Sequence, residues 1–167
     1  MGLFEILKIP EVIGAFFGAF FAVLIGFVAD IAKNHLLERQ KRRKERVTVL
    51  KLLYQDLRDV NEHTDAILKG FKKFGVPKGY LQKLPFNNWK NLQNSDRLTQ
   101  FLTDEFFMDI IAGIRQIYLI NEILDDYSMI KEPTMLGIAA LMYEEAPARA
   151  GNLMEKIELE LKLKKAV

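Results

Sequence analysis

The chain has 167 residues, no cysteine, two histidines and a formal net charge of +2. The absence of cysteine excludes disulfides, thiolate zinc sites and cysteine nucleophiles, and two histidines disfavour a multi-histidine metal site. Residues 30–46 carry seven basic and three acidic side chains, whereas residues 1–29 and 47–167 are each net −1. The positive charge is thus confined to one segment, which argues against a nucleic-acid-binding domain and against nucleic acid as a partner.

An uncharged apolar run occupies residues 12–29. As a helix it is about 27 Å long, close to the thickness of a bilayer's hydrocarbon core. A cleaved signal peptide is disfavoured because the preceding residues are net acidic and no A-x-A cleavage site follows. A core helix of a soluble protein is disfavoured because four successive turns lack a polar side chain. The run therefore predicts a single transmembrane helix, preceded by a short tail over residues 1–11.

The basic segment that follows predicts the orientation of this helix. Seven Lys and Arg side chains follow the apolar run and only Lys8 precedes it, so the positive-inside rule predicts an extracytoplasmic N-terminal tail and a cytoplasmic C-terminal domain. Residues 30–46 are predicted to form a basic stalk. Its positive charges either contact anionic lipid headgroups or serve only to set the topology. These residues are Lys33, Arg39, Lys41, Arg42, Arg43, Lys44 and Arg46.

Small residues recur at every fourth position of the predicted span, at Gly14, Gly18, Ala22 and Gly26. Such a ridge lets two helix backbones approach closely, which favours self-association or packing against another membrane helix. The alternative is that Gly and Ala are simply common in membrane helices. Asp30, at the end of the span, is either an interfacial carboxylate or, in an oligomer, part of an acidic ring at a pore mouth.

The remaining residues, 47–167, predict a helical bundle of three to four helices, so the fold class is all-α. A seam with alternating spacings of three and four favours one helix of an intramolecular bundle over a coiled coil between copies. The seam consists of Leu50, Leu53, Leu57, Val60, Thr64, Ile67 and Phe71. Thr103 is predicted to cap a helix over residues 104–131. Asn121 on its apolar stripe either fixes register or bonds a neighbouring backbone, and Pro147 is predicted to kink or divide the last helix.

Residues 70–90 contain three glycines and two prolines, which predict an irregular loop. Lysines alternate there with aromatic residues, a mixture that suits a membrane surface or a partner groove. The other interpretation is that the loop folds its aromatic side chains onto the bundle. The aromatic residues concerned are Phe71, Phe74, Tyr80, Phe86 and Trp89.

Known catalytic patterns are missing from the sequence: it has no phosphate-binding loop, no dinucleotide-binding glycine motif and no serine-hydrolase or zinc-protease motif. Asp59 and His63, one helical turn apart, fit a surface ion pair better than a metal site. We therefore expect no enzymatic activity, no cofactor and no metal.

The functional expectation is a membrane-anchored interaction or scaffold protein, or an accessory subunit of a membrane complex. Its expected partners are the lipid bilayer and either further copies of itself or another membrane protein. One alternative is a small homo-oligomeric channel or pore-forming effector gated by its cytoplasmic domain. Another is a membrane-surface adapter that recognises lipid headgroups through the basic stalk and the 70–90 loop.

Overall fold

The computed structural model describes residues 10–74 and 81–163, and it describes side chains for residues 13–70 and 81–162. These ranges are mostly helical and contain no strand, which confirms the all-α prediction for them. The four α-helices are α1 (Pro10–Phe74), α2 (Asn87–Gln93), α3 (Glu105–Ile130) and α4 (Pro133–Leu163). A 3₁₀ turn at Thr99–Phe101 precedes α3.

Helix α1 continues for 65 residues without a break. Pro10 occupies its first position, where the missing N–H of proline costs no helical hydrogen bond. Neither Pro nor Gly occurs between Val28 and Lys69, so no residue in that stretch interrupts the helix. The chain nevertheless divides into two compact units, Met1–Glu45 and Arg46–Val167, and α1 contributes residues to both.

The second unit has its own apolar core, to which α1, α2, α3 and α4 all contribute. The α1 seam residues Leu50, Leu53 and Leu57 are fully buried, as is Thr64. The Thr64 hydroxyl donates to the Val60 carbonyl oxygen at 2.7 Å, so its polarity is satisfied within its own helix. Because the seam is buried in a single copy of the chain, the coiled-coil alternative has no support.

Helices α3 and α4 run antiparallel and approach closely. Lys156 pairs with Asp109 at 2.5 Å, and Arg149 donates to Gln116 at 2.8 Å. Seven residues forward along α3 thus correspond to seven residues back along α4. Between these pairs, a Cβ added to Gly113 would lie only 2.7 Å from a methyl carbon of Leu153. Glycine at this position therefore allows the two helices to pack closely.

The ends of α3 and the course of α4 differ in detail from the prediction. Asp104, not Thr103, caps α3: its backbone is extended and its carboxylate accepts from the Phe107 N–H at 3.2 Å. Helix α4 passes through Pro147 without ending, so of the two predicted effects, a kink or a division, the division is wrong. Buried residues Tyr143, Ala146 and Ala150 lie on both sides of Pro147, and their packing outweighs the lost backbone hydrogen bond.

Candidate functional site

The first unit contains an apolar helical surface that is wholly exposed within this chain. Eleven large apolar side chains between residues 13 and 31 are exposed, including Phe16 at 65% and Val23 at 71%. Nothing in the apolar window of α1 is buried. The second unit shows the opposite arrangement, since its seam residues on the same helix are covered. Exposure of so large an apolar surface to water is unfavourable, so this segment is the main candidate for an interaction surface.

The small-residue ridge lies within this exposed segment. Outside its own turn of helix, a Cβ added at Gly14, Gly18 or Gly26 would meet no atom of the described residues within 4 Å, and Ala22 is also exposed. The ridge is thus open along its length in a single chain. Bulky side chains such as Phe20 and Phe27 lie on the opposite face of the helix, because they are two and nine residues from Gly18. A second helix could approach the backbone only along the ridge.

Charged residues begin directly after the apolar segment. Asp30 is exposed, and six of the seven basic residues of the predicted stalk are exposed as well: Lys33, Arg39, Lys41, Arg42, Arg43 and Lys44. Residues 41–44 are four consecutive basic residues, and at 100° per residue they surround the helix. We call them the basic collar. A helix that lies flat on a membrane has separate polar and apolar faces, so the collar is unlike that arrangement.

The spacing along α1 separates the basic residues by depth. Lys33 is four residues beyond Ala29, or about 6 Å, which matches the headgroup layer of a bilayer. The basic collar begins about 18 Å beyond Ala29, which is outside that layer for a helix along the membrane normal. Of the exposed basic residues, Lys33 is thus the one nearest to the apolar segment along α1, and the basic collar lies at least about 18 Å beyond that segment.

Arg46 corrects the predicted set of lipid contacts. Its side chain is only 19% exposed and forms ion pairs with Asp104 at 2.8 Å and with Glu160 at 3.1 Å. Its guanidinium also lies 5.6 Å from the ring centre of Phe106 and 5.9 Å from that of Phe107. Arg46 thus joins α1 to the start of α3 and to α4 inside the second unit. It is engaged within the protein and does not face lipid.

The aromatic residues of the 70–90 segment divide into two groups. The side chains of Phe71 and Phe74, and the whole of Tyr80, lie outside the described residues. Phe86 and Trp89 are buried, with 2% and 1% of their surface exposed, so they cannot serve a membrane or a partner. The second interpretation of the loop, in which aromatic residues fold onto the helices, is the correct one for these two side chains.

Two buried polar residues hold this connection in place. The Asn121 side-chain oxygen accepts from the Leu84 N–H at 2.6 Å, and its amide donates to the Leu84 carbonyl oxygen at 2.9 Å. This confirms the interpretation that Asn121 bonds a backbone. Asp56 of α1, 1% exposed, accepts from the backbone N–H groups of Asn88 and Trp89 at the start of α2. Asp56 is not among the residues predicted from sequence; its only signal there is an acidic residue beside seam residue Leu57.

Metal-binding side chains do not cluster in the described part of the chain. Within residues 10–74 and 81–163, no group of three or more histidine or acidic side chains is placed to hold a metal ion. The Nε2 atom of His63 is buried without a hydrogen-bond partner, so the expected ion pair with Asp59 does not form through that atom. The Tyr143 hydroxyl is likewise buried and unpartnered, and burial raises the pKa of this group.

Comparison with protein-family models, with curated proteins and with solved structures finds no match to this chain. By length and composition, α1 is long and apolar enough to cross a membrane, and it is the one described helix that meets this test. Signal sequences near an N-terminus and buried core helices can meet the same test. The chain is therefore an all-helical protein with one candidate membrane-spanning helix.

Proposed function

We propose that this chain is a membrane-anchored interaction or scaffold protein, or an accessory subunit of a membrane complex. One observation carries the proposal: the apolar segment of α1 is entirely exposed, while the second unit buries a core of its own. The exposed segment is therefore not a missing part of that core. Its length and composition match a bilayer, which would cover every side of it at once.

The magnitude of the hydrophobic effect supports this assignment. Full burial of a large apolar side chain is worth about 1.5–3 kcal/mol, and the eleven exposed residues are between 37% and 71% exposed. Transfer of this surface from water to hydrocarbon is then worth on the order of 10 kcal/mol. That is comparable to the whole stability of a typical domain. A monomer in water would not gain this free energy of transfer.

The proposal includes an orientation and a surface for association. The basic excess after the span favours a cytoplasmic second unit. Lys33, at headgroup depth, is proposed to contact anionic lipid. The open ridge at Gly14, Gly18, Ala22 and Gly26 is proposed as the contact between copies, or with the helix of another membrane protein.

Two measurements test the anchor and its orientation. We expect full-length protein to stay in the membrane pellet after alkaline carbonate extraction, with its full mass retained. Because the chain has no cysteine, single cysteines at Glu5→Cys and at the exposed Lys90→Cys report position without background. An impermeant maleimide should label the first in intact cells and the second only after permeabilisation.

Each outcome bears on a separate part of the proposal. Release by carbonate, or a shortened mature chain that indicates signal cleavage, would overturn the anchor. Reversed labelling of the two cysteines would overturn the orientation and leave the anchor standing. The variant Leu24→Glu places a charge in the span and should reduce membrane retention. Its matched control, Thr48→Glu, lies on the same helix beyond the span and should not reduce it.

A further inference from the structure

A second exposed apolar surface lies on the hairpin formed by α3 and α4. The pairs Asp109–Lys156 and Gln116–Arg149 set the register on one side of this hairpin. Seven residues after Gln116 on α3 is Ile123, and seven residues before Arg149 on α4 is Met142. Because the helices are antiparallel, Ile123 and Met142 lie at the same level. The side of the hairpin is thus polar where α3 begins and becomes apolar toward the turn at Lys131.

Five apolar residues form this surface, which we call the tip groove. Ile130, Ile138 and Leu141 are 63%, 52% and 65% exposed, and Ile123 and Met142 are half-buried against the core. Ile123 and Ile130 are seven residues apart on α3, and Ile138 lies three residues before Leu141 and four before Met142 on α4. Each residue is therefore within about 60° of its nearest member of the group on the same helix. Isolated exposed apolar residues are ordinary, but a contiguous group on two adjacent helices is characteristic of a binding surface.

The surroundings of the tip groove are strongly acidic. Residues 119–145 carry six acidic side chains and one basic side chain, Lys131, so this part of the hairpin has a net charge of −5. The acidic residues are Glu122, Asp125, Asp126, Glu132, Glu144 and Glu145. Asp125 pairs with Lys83 of the preceding connection, and Glu145 pairs with Arg149. Asp126 lies between Ile123 and Ile130 on α3, and Glu144 follows Met142 on α4.

We propose that the tip groove binds a basic amphipathic helix of a partner protein. An apolar groove between two helices accepts the apolar face of a third helix, and acidic flanks attract basic residues beside that face. The inference rests on the proposed role as an interaction protein and gives that role a partner chemistry. It concerns residues of the second unit alone, so it does not require the anchor or the ridge.

The charge of the groove argues against two other occupants. An anionic bilayer surface would be repelled by acidic residues around the groove, since such surfaces attract basic segments. Two tip grooves facing each other would bring together two surfaces of like charge, which disfavours a symmetric contact between copies. A partner with positive charges beside its apolar face satisfies both the apolar and the acidic parts of the surface.

A labelled amphipathic peptide of Leu and Lys, about 18 residues long, is the probe for this proposal, and a Leu and Glu peptide of the same pattern is its control. Binding to full-length protein in uncharged detergent is measured by fluorescence anisotropy, with empty micelles as the blank. We expect the Lys peptide to bind and the Glu peptide not to bind. The double variant Ile138→Ser/Leu141→Ser should raise the Kd about tenfold or more.

Two further variants distinguish binding in the tip groove from nonspecific hydrophobic binding. Asp126→Asn with Glu144→Gln should weaken binding and reduce its dependence on salt. Met129→Ser removes a side chain that is 83% exposed but lies about 100° around α3 from Ile130, so it should leave the Kd unchanged. Equal binding of both peptides, or equal effects of the groove and Met129 variants, would overturn the proposal. So would a change in oligomeric mass caused by the groove variants, because a second copy would then be the occupant.

Discussion

The carboxylate of Asp56 accepts a 2.6 Å hydrogen bond from the backbone N–H of Trp89, which lies 33 residues later in the chain. Its other oxygen accepts from the backbone and side-chain N–H groups of Asn88 at 3.1 and 3.0 Å. Helix α2 has no capping side chain of its own, so Asp56 satisfies N–H groups that would otherwise lack partners. A residue of α1 therefore fixes where α2 begins and holds the Trp89 indole in the core.

Replacement of Asp56 by Asn should destabilise the second unit. Asn offers one acceptor oxygen where three donors converge, so a buried N–H group faces an NH₂ group. Leaving a buried donor unsatisfied costs about 1–3 kcal/mol. Urea unfolding of the full chain in uncharged detergent, followed by fluorescence of Trp89, the single tryptophan, measures this loss. Asp65→Asn is the matched control on the same helix, since Asp65 forms only an exposed pair with Lys69 and should cost little. Equal stability of the two variants would contradict the role of Asp56.

The pH dependence of this effect has a definite sign. Burial raises the pKa of the Asp56 carboxyl, and the hydrogen bonds from Trp89 and Asn88 oppose that rise only in part, while the nearby charge of Asp59 adds to it. The folded chain thus holds this proton more tightly than the unfolded chain. The contribution of this proton binding to the unfolding free energy is complete below the ordinary pKa of 3.8. It is lost as the pH rises through the folded-state pKa of Asp56.

Wild type should therefore exceed Asp56→Asn in unfolding free energy by more at about pH 3 than at about pH 7. The difference between the two proteins is the relevant quantity, because other carboxyl groups titrate equally in both. A difference that grows with rising pH would show that the hydrogen bonds to the carboxylate outweigh its burial.

Arg46→Gln should lower the stability of the second unit, whereas Arg42→Gln should not. Arg46→Gln removes the ion pairs to Asp104 and Glu160, and charge-assisted hydrogen bonds of this kind are worth about 1.5–3 kcal/mol. It should lower the unfolding free energy of the second unit and leave binding to anionic vesicles unchanged. Arg42→Gln changes an exposed residue of the basic collar, so stability should be retained. Equal stability of the two variants would contradict a stabilising role for the Arg46 ion pairs, and Arg46 would again be a candidate for lipid contact.

Periodic apolar residues predicted the helices well, but not the contacts that hold the connection between α1 and α3. Leu50, Leu53 and Leu57 repeat at helical spacing, and this local pattern alone placed them in a core. Asp56 and Asn121 act across 32 to 37 residues, and no local pattern shows such a partner. Trp89 looked suited to a membrane surface because its neighbours are basic. Its burial depends on the start of α2, which a distant carboxylate determines.

The same reasoning explains why the basic segment was only partly interpreted. Net charge predicted an orientation, but it could not distinguish Lys33 from Arg46. The two residues are separated by about 20 Å along α1, and only the folded second unit supplies acidic partners for Arg46. Long-range ion pairs of this kind become visible only when helices are packed together.

Gly18→Leu tests the small-residue ridge without disturbing the fold of one chain. Apart from the neighbouring turns of its own helix, no atom of the described residues lies within 4 Å of a Cβ at this position, so the added side chain meets open space, and Leu is a good helix former. If the ridge is the contact between copies, the bulkier side chain keeps the two backbones apart and should weaken association about tenfold or more. Molar mass in mild detergent, measured by light scattering over a range of protein concentrations, follows the dissociation.

Phe20→Leu is the matched control for this experiment. Phe20 lies two residues after Gly18, about 160° around the helix, and is 52% exposed, so this apolar replacement is on the face opposite the ridge. The oligomer should keep its mass in this variant. If Gly18→Leu and Phe20→Leu show the same mass as wild type, the ridge does not mediate association. Loss of the oligomer in the Phe20 variant alone would place the contact on the phenylalanine-rich face, where bulky side chains would have to interlock.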